Sequence, residues 1–108
     1  REALALVEAD MGDYCAAARI DPVPVALSRA QRRWGSCSDM SRIRINWRLV
    51  QAPDFVRRSV VAHEVAHLVH FDHSPAFHAL LAQIYEGDIR AADQWLKQKG
   101  RELYAAFG

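Results

Sequence analysis

Two histidines four residues apart, with a glutamate between them, stand in His63-Glu64-Val65-Ala66-His67. On a helix, side chains at i and i+4 share a face, so both imidazoles reach one ion. Glu64, one step round, borders the same place without competing for the metal. Zinc with three protein ligands keeps a fourth position for water and lowers its pKa to about 7. A carboxylate beside that water takes its proton as it attacks a carbonyl, then delivers it to the leaving amine. The pattern predicts one zinc per chain, held by His63 and His67, with Glu64 as the catalytic base for hydrolysis of a peptide bond.

The competing explanation is that these residues fell into place on a partly buried helix. Chance produces the five-residue pattern in roughly one chain in a hundred of this size and composition. Against it stands the setting, because His63 lies among Val60, Val61, Ala62, Val65 and Ala66. Polar rings buried there without partners cost free energy, and metal ligation supplies a partner for each.

The third ligand must come from elsewhere, and His73 is favoured. It follows His67 by six residues, where Asp72-His73-Ser74-Pro75 reverses the chain and can return the ring over the metal face. The competitor is Glu86, nineteen residues after His67, about where glutamate-ligated sites take theirs. His70 is expected beside the ion rather than on it. His78 reads as a surface or packing residue.

These side chains need elements to hold them. Pro53 and Asp54 open a helix that runs to about His70, proline suiting the first turn and the acid complementing the dipole. Ser74 as N-cap and Pro75 at the first helical position start another, carrying Phe77, Leu80, Leu81 and Ile84 to a stop near Gly87. A last helix from Asp88 presents Ile89, Ala92, Trp95 and Leu96, with an interruption expected at Gly100. Upstream, residues 2–18 space Leu4, Leu6, Val7, Met11, Tyr14, Cys15 and Ala18 as an amphipathic helix closed by Asp21-Pro22.

Between them lies strand patterning. Val23 to Leu27 alternates weakly, and Arg33 to Ser38 reads as a second strand, turned at Ser38-Asp39-Met40-Ser41 into a third. Arg42 to Leu49 alternates strictly, with Ile43, Ile45, Trp47 and Leu49 on one face and Arg42, Arg44, Asn46 and Arg48 on the other. The expected fold is α+β: a helix, a small antiparallel sheet, then three helices, with the HExxH helix packed beneath the sheet.

Composition bounds the rest. The 108 residues are 51% hydrophobic and 25% charged, with 5 glycines and 4 prolines, as in one globular domain rather than a disordered chain. The start at Arg1 reads as a domain cut from a longer chain or a processed product. No apolar run approaches the roughly 18 residues of a membrane span. Two cysteines without a CxxC pairing signal neither a disulfide framework nor a cysteine zinc site, and fit a reducing, cytoplasmic setting. Net charge is only +1, yet from Arg29 to Arg58 eight arginines face two aspartates. That run reads first as a solvated face, and second as a positive stripe near nucleic acid, although no recognised nucleic-acid-binding motif accompanies it.

The order of motifs is itself specific. Arg33-Trp34-Gly35-Ser36-Cys37-Ser38, then Ile45-Asn46-Trp47-Arg48-Leu49, then the HExxH run with Leu68, then His73-Ser74-Pro75-Ala76-Phe77 resembles the YgjP-like metallopeptidases over about residues 23–107. The resemblance implies a zincin-like minimal domain in which His63, His67 and His73 bind zinc and Glu64 is catalytic. WLM proteases share the ligand spacing, SprT-like proteases are more distant, and both act on proteins attached to DNA. Metzincins are excluded, since they carry glycine at the position of His70 and need a downstream methionine, whereas methionine occurs here only at 11 and 40. YgjP-like chains usually have an aromatic where His78 stands and an N-terminal region ahead of this segment.

Zincins bind an extended peptide along an edge strand, which by resemblance assigns substrate binding to Trp34, Gly35 and Ser36; the alternative is a structural hairpin with Trp34 in the core. Cys37 reads as an inert buried thiol ahead of an inhibitory fourth ligand. For the oxyanion, Tyr85, Tyr104, His70 and several arginines stay open. Three functions follow in order: a zinc peptidase acting on peptide or protein substrates, a zinc-stabilised binding or scaffold module, and a DNA-associated protein working through its arginine face.

Overall fold

The computed structural model describes the backbone of residues 2–28, 34–37 and 42–107, and side chains at 4–28, 34–35 and 42–99. The turn expected at Ser38 to Ser41, three of the eight arginines (Arg29, Arg32 and Arg33), and the side chains of Ser36, Cys37 and Tyr104 lie outside those residues.

The chain forms α1 (Glu2–Ala18), β1 (Val25–Ser28), β2 (Gly35–Cys37), β3 (Ile43–Asn46), a 3₁₀ turn at Trp47–Gln51, α2 (Asp54–Val69), α3 (Pro75–Ile84) and α4 (Ile89–Phe107). No helix is long and apolar enough to cross a membrane. α1 closes before Asp21-Pro22, with Arg19 left-handed at φ 61° and the Ile20 N–H donating to the Cys15 carbonyl. α4 runs through Gly100 without the expected interruption.

The sheet is mixed, not antiparallel. Its order is β1-β3-β2: β2 pairs antiparallel with β3 as a hairpin would, while β1 pairs parallel with β3, Val25 opposite Ile43. Alternation in sequence carries no strand direction. Here two chain reversals between β1 and β3 restore the direction, and β3 takes the central place beside both.

β3 is also shorter than its alternation. Ile43 and Ile45 are buried and Arg44 is exposed, as a half-buried strand requires. At Asn46 the pattern changes, because its side chain accepts from the Arg48 N–H at 3.0 Å and starts the 3₁₀ turn. Asn46 and Arg48 are consequently buried, Leu49 reaches the core from the turn, and the Arg48 guanidinium lies 5.1 Å from the Trp47 ring centroid. The expected basic outer face is reduced to Arg44 of β3 and Arg42 just before it, both exposed.

α2 is the central element. It touches α1, β2, β3, α3 and α4, and positions 56, 57, 59 to 62 and 64 to 66 are all buried. A helix buried nearly all round belongs in the interior. Val61 and Val65 contribute about 1.5–3 kcal/mol each by burial. His63 and His67 are only half-buried, so the stripe that carries them is the side of α2 left open.

Arg57 and Arg58 tie α2 to α1, and Arg58 also ties it to the segment between α3 and α4. Arg57 Nε lies 2.6 Å from Asp10 Oδ2, with both side chains almost wholly buried, and Arg57 Nη1 reaches Asp54 Oδ1 at 2.8 Å. Arg58 bonds Asp10, Asp13 and Glu86, its guanidinium 4.8 Å from the Tyr14 ring centroid. Neither arginine belongs to an open positive stripe.

Candidate metal centre

His63 and His67 sit one turn apart on the open stripe of α2. His73 comes back to them through the reversal after α2. The Ser74 hydroxyl caps α3 by accepting from the Phe77 N–H at 3.2 Å, with Pro75 next to it. That cap fixes the chain one residue beyond His73. The result is a group of three imidazoles whose ligand atoms lie within 4.8 Å of one another.

Ring orientations agree with a shared target. His67 Nε2 and His73 Nε2 face each other at 3.1 Å. Two nitrogens bound to one tetrahedral zinc at 2.0–2.1 Å must lie roughly 3.3 Å apart, so the pair needs little adjustment to hold an ion. His67 Nδ1 lies 3.2 Å from the His70 carbonyl oxygen, which takes its proton and leaves Nε2 as the acceptor. Burial, with the neighbouring His63 and His73 adding to it against the pull of that carbonyl, holds His67 below the usual imidazole range. A neutral ring is the ligating form.

The platform under the group is Phe77, fully buried. Its ring stacks on His67 at 4.4 Å and meets His63 and His73 edge-on, each at 5.0 Å. Sequence reasoning gave Phe77 to the core; its place three residues beyond the Ser74 cap was the available signal.

Glu64 is 5% exposed, and its Oε2 lies 3.4 Å from His63 Nδ1. β2 presses on it from the other side. A Cβ added at Gly35 would stand 3.0 Å from Glu64 Cγ, Glu64 Oε2 and Val60 Cγ1, so glycine lets the strand approach the carboxylate this closely. β2 is an edge strand, with β3 on one side only. Trp34, half-buried, packs against the core cluster and also lines a cleft of about 340 Å³ beside His63 and Glu64. His78, exposed on α3, lines the same cleft, which spacing alone did not indicate.

Glu86 lies apart from this group. Tyr14 donates to its Oε1 at 2.7 Å and Arg58 Nε to its Oε2 at 2.8 Å. Against the upward pull of partial burial, those partners hold the Glu86 carboxyl below the usual range, while burial and Glu86 push the Tyr14 hydroxyl up. The Tyr85 hydroxyl bonds the Phe55 carbonyl, which removes Tyr85 from the open candidates for an oxyanion donor.

With this geometry in view, known proteins give a consistent match. The crystal structure of the metallopeptidase zymogen of Pyrococcus abyssi, abylysin, superposes with a TM-score of 0.69 at 17% identity, covering 89% of this chain and 93% of that one. At that identity the likeness shows the fold. No curated protein is significantly similar in sequence. The family model for the YgjP-like metallopeptidase domain matches residues 1–99, and the chain therefore belongs to the YgjP-like metallopeptidases.

Proposed function

We propose that this domain is a zinc-dependent peptidase, with His63, His67 and His73 holding one zinc and Glu64 acting as general base. The observation that carries it is the convergence of three imidazoles beside a buried carboxylate in the wall of a cleft. Zinc held there supplies a Lewis acid that polarises the scissile carbonyl and makes water a nucleophile near neutral pH.

The remaining work falls to the chain. The edge of β2 at Trp34, Gly35 and Ser36 holds an extended peptide by strand addition, and the close packing of Gly35 on Glu64 brings that peptide to the base. Glu64 takes a proton from the attacking water as the new C–O bond forms. It gives the proton to the departing nitrogen as the C–N bond breaks, leaving a carboxylate and an amine. The His70 carbonyl keeps the His67 ring turned, and Phe77 keeps the three rings from collapsing into the core.

A structural zinc site has no use for a base beside it, so Glu64 speaks against a scaffold role. The arginine reading loses support with Arg48 and Arg57 buried and Arg58 ion-paired.

The ligand set has a direct test. His73→Ala is expected to weaken zinc binding more than about 100-fold, beyond the 10–100-fold typical of losing an outer partner. Glu86→Ala is expected to leave zinc affinity within a few-fold, since its carboxylate serves Tyr14 and Arg58. Competition with a chromogenic chelator measures both. A larger loss for Glu86→Ala means that the site is glutamate-ligated and that the set proposed here is wrong.

A further inference from the structure

We propose that the cleft beside Glu64 is the subsite for the residue following the scissile bond, and that it selects a long side chain with an apolar stem and a cationic end, lysine or arginine. The proposal rests on the peptidase reading above.

Position comes from the proton transfer. Glu64 must hand its proton to the departing amine, so the residue that supplies this amine lies against Glu64 when the bond breaks. His63 and Glu64 stand in the wall of the cleft, whose volume is about 340 Å³. That is ample for one long side chain.

Selectivity comes from the lining. Val60 of α2, Leu81 of α3, and Ile89 and Leu96 of α4 make the walls mostly apolar, with Ser59 and His78 as further polar groups in the lining. Ile89, Asp93 and Leu96 stand at i, i+4 and i+7 on one face of α4, so the Asp93 carboxylate is set between two apolar side chains. Asp93 is exposed and has no ion pair or hydrogen bond among the described residues. Lysine and arginine lay their methylene stems along apolar surface and keep the charged head in water, which suits a mostly apolar cleft with an exposed carboxylate in its wall. A glutamate side chain of similar reach meets Asp93 as a like charge. Norleucine shares the lysine stem and gains nothing from Asp93.

The probes are blocked Ala/Ser decapeptides differing at one residue X, where X is lysine, arginine, norleucine or glutamate. Zinc-loaded wild type and Asp93→Asn are compared by kcat/KM, with the cut located by mass spectrometry. The same peptides are titrated against zinc-loaded Glu64→Gln, with and without Asp93→Asn, by fluorescence anisotropy. The expected cut is immediately before X, with lysine and arginine about fivefold above norleucine and glutamate lowest, an exposed pair contributing up to about that factor. Asp93→Asn is expected to bring lysine to the norleucine level and leave norleucine unchanged, in cleavage and in binding alike. If wild type cuts nothing while the lysine preference in binding is present and disappears with Asp93→Asn, the peptidase reading falls and the subsite stands as a binding site. If wild type cuts but lysine equals norleucine, or the ratio ignores Asp93→Asn, the subsite assignment is overturned and the peptidase reading is untouched. Absence of any preference in either measurement also overturns it.

Discussion

Glu64→Gln is expected to keep the fold and most of the zinc affinity while lowering cleavage by 10²–10⁴-fold, roughly 3–5 kcal/mol of barrier. The amide has nearly the shape of the carboxylate, so the contacts with Gly35 and Val60 survive and the three imidazoles are untouched. What it loses is the capacity to accept a proton at neutral pH. Metal affinity and rate therefore separate in one variant, which a mere packing role for Glu64 does not produce. Zinc content, thermal melting and peptide turnover of the two proteins side by side read this out. Equal turnover means that Glu64 is not the base.

Asp10→Ala is expected to cost about 3 kcal/mol of stability, the low end for breaking a buried ion pair, because Asp54 still reaches the stranded Arg57. For a domain of this size that lowers Tm by roughly 15 °C. Asp10 holds Arg57 through Nε and Nη2 and Arg58 through Nη1, so its loss loosens the hold of α1 on the helix that carries His63 and His67. Replacing the pair by Asp10→Leu with Arg57→Met is expected to recover most of the loss, since two apolar side chains leave no uncompensated charge. Urea unfolding of the three proteins decides it, and a single variant as stable as wild type contradicts the account. The network also gives stability a pH dependence of definite sign. Glu86 titrates lower in the folded chain than unfolded, so its contribution is present above the ordinary carboxylate range and fades as pH falls below it.

The helix bearing His63 and His67, its entry at Pro53-Asp54 and the Ser74-Pro75 restart were legible because each depends on neighbours within about four residues. The i, i+4 face and the cap are local geometry, and together they limit where His73 can go. What the sequence concealed depends on partners far along the chain. Arg57 reads as one more positive charge in an arginine run until Asp10, 47 residues away, is packed against it. Glu86 has the spacing of a ligand, and only the fold shows it taken by Tyr14 and Arg58. Asn46 was placed on an outer strand face by alternation, but a side-chain bond to its own neighbouring backbone ended the strand there. The parallel pairing of β1 follows from strand order, which periodicity does not encode. The cleft is assembled from α2, α3, α4 and the start of β2, so no single segment announced it.

The most direct test of the central claim is hydrolysis of a broad peptide library by the domain as purified, after chelation and after zinc is returned, with zinc per chain measured at each stage. The account predicts one zinc per chain, cleavage that disappears with the metal, and recovery when one equivalent is restored. A chain that cleaves as fast without zinc, or that binds one zinc through His63, His67 and His73 and cleaves no peptide, contradicts it.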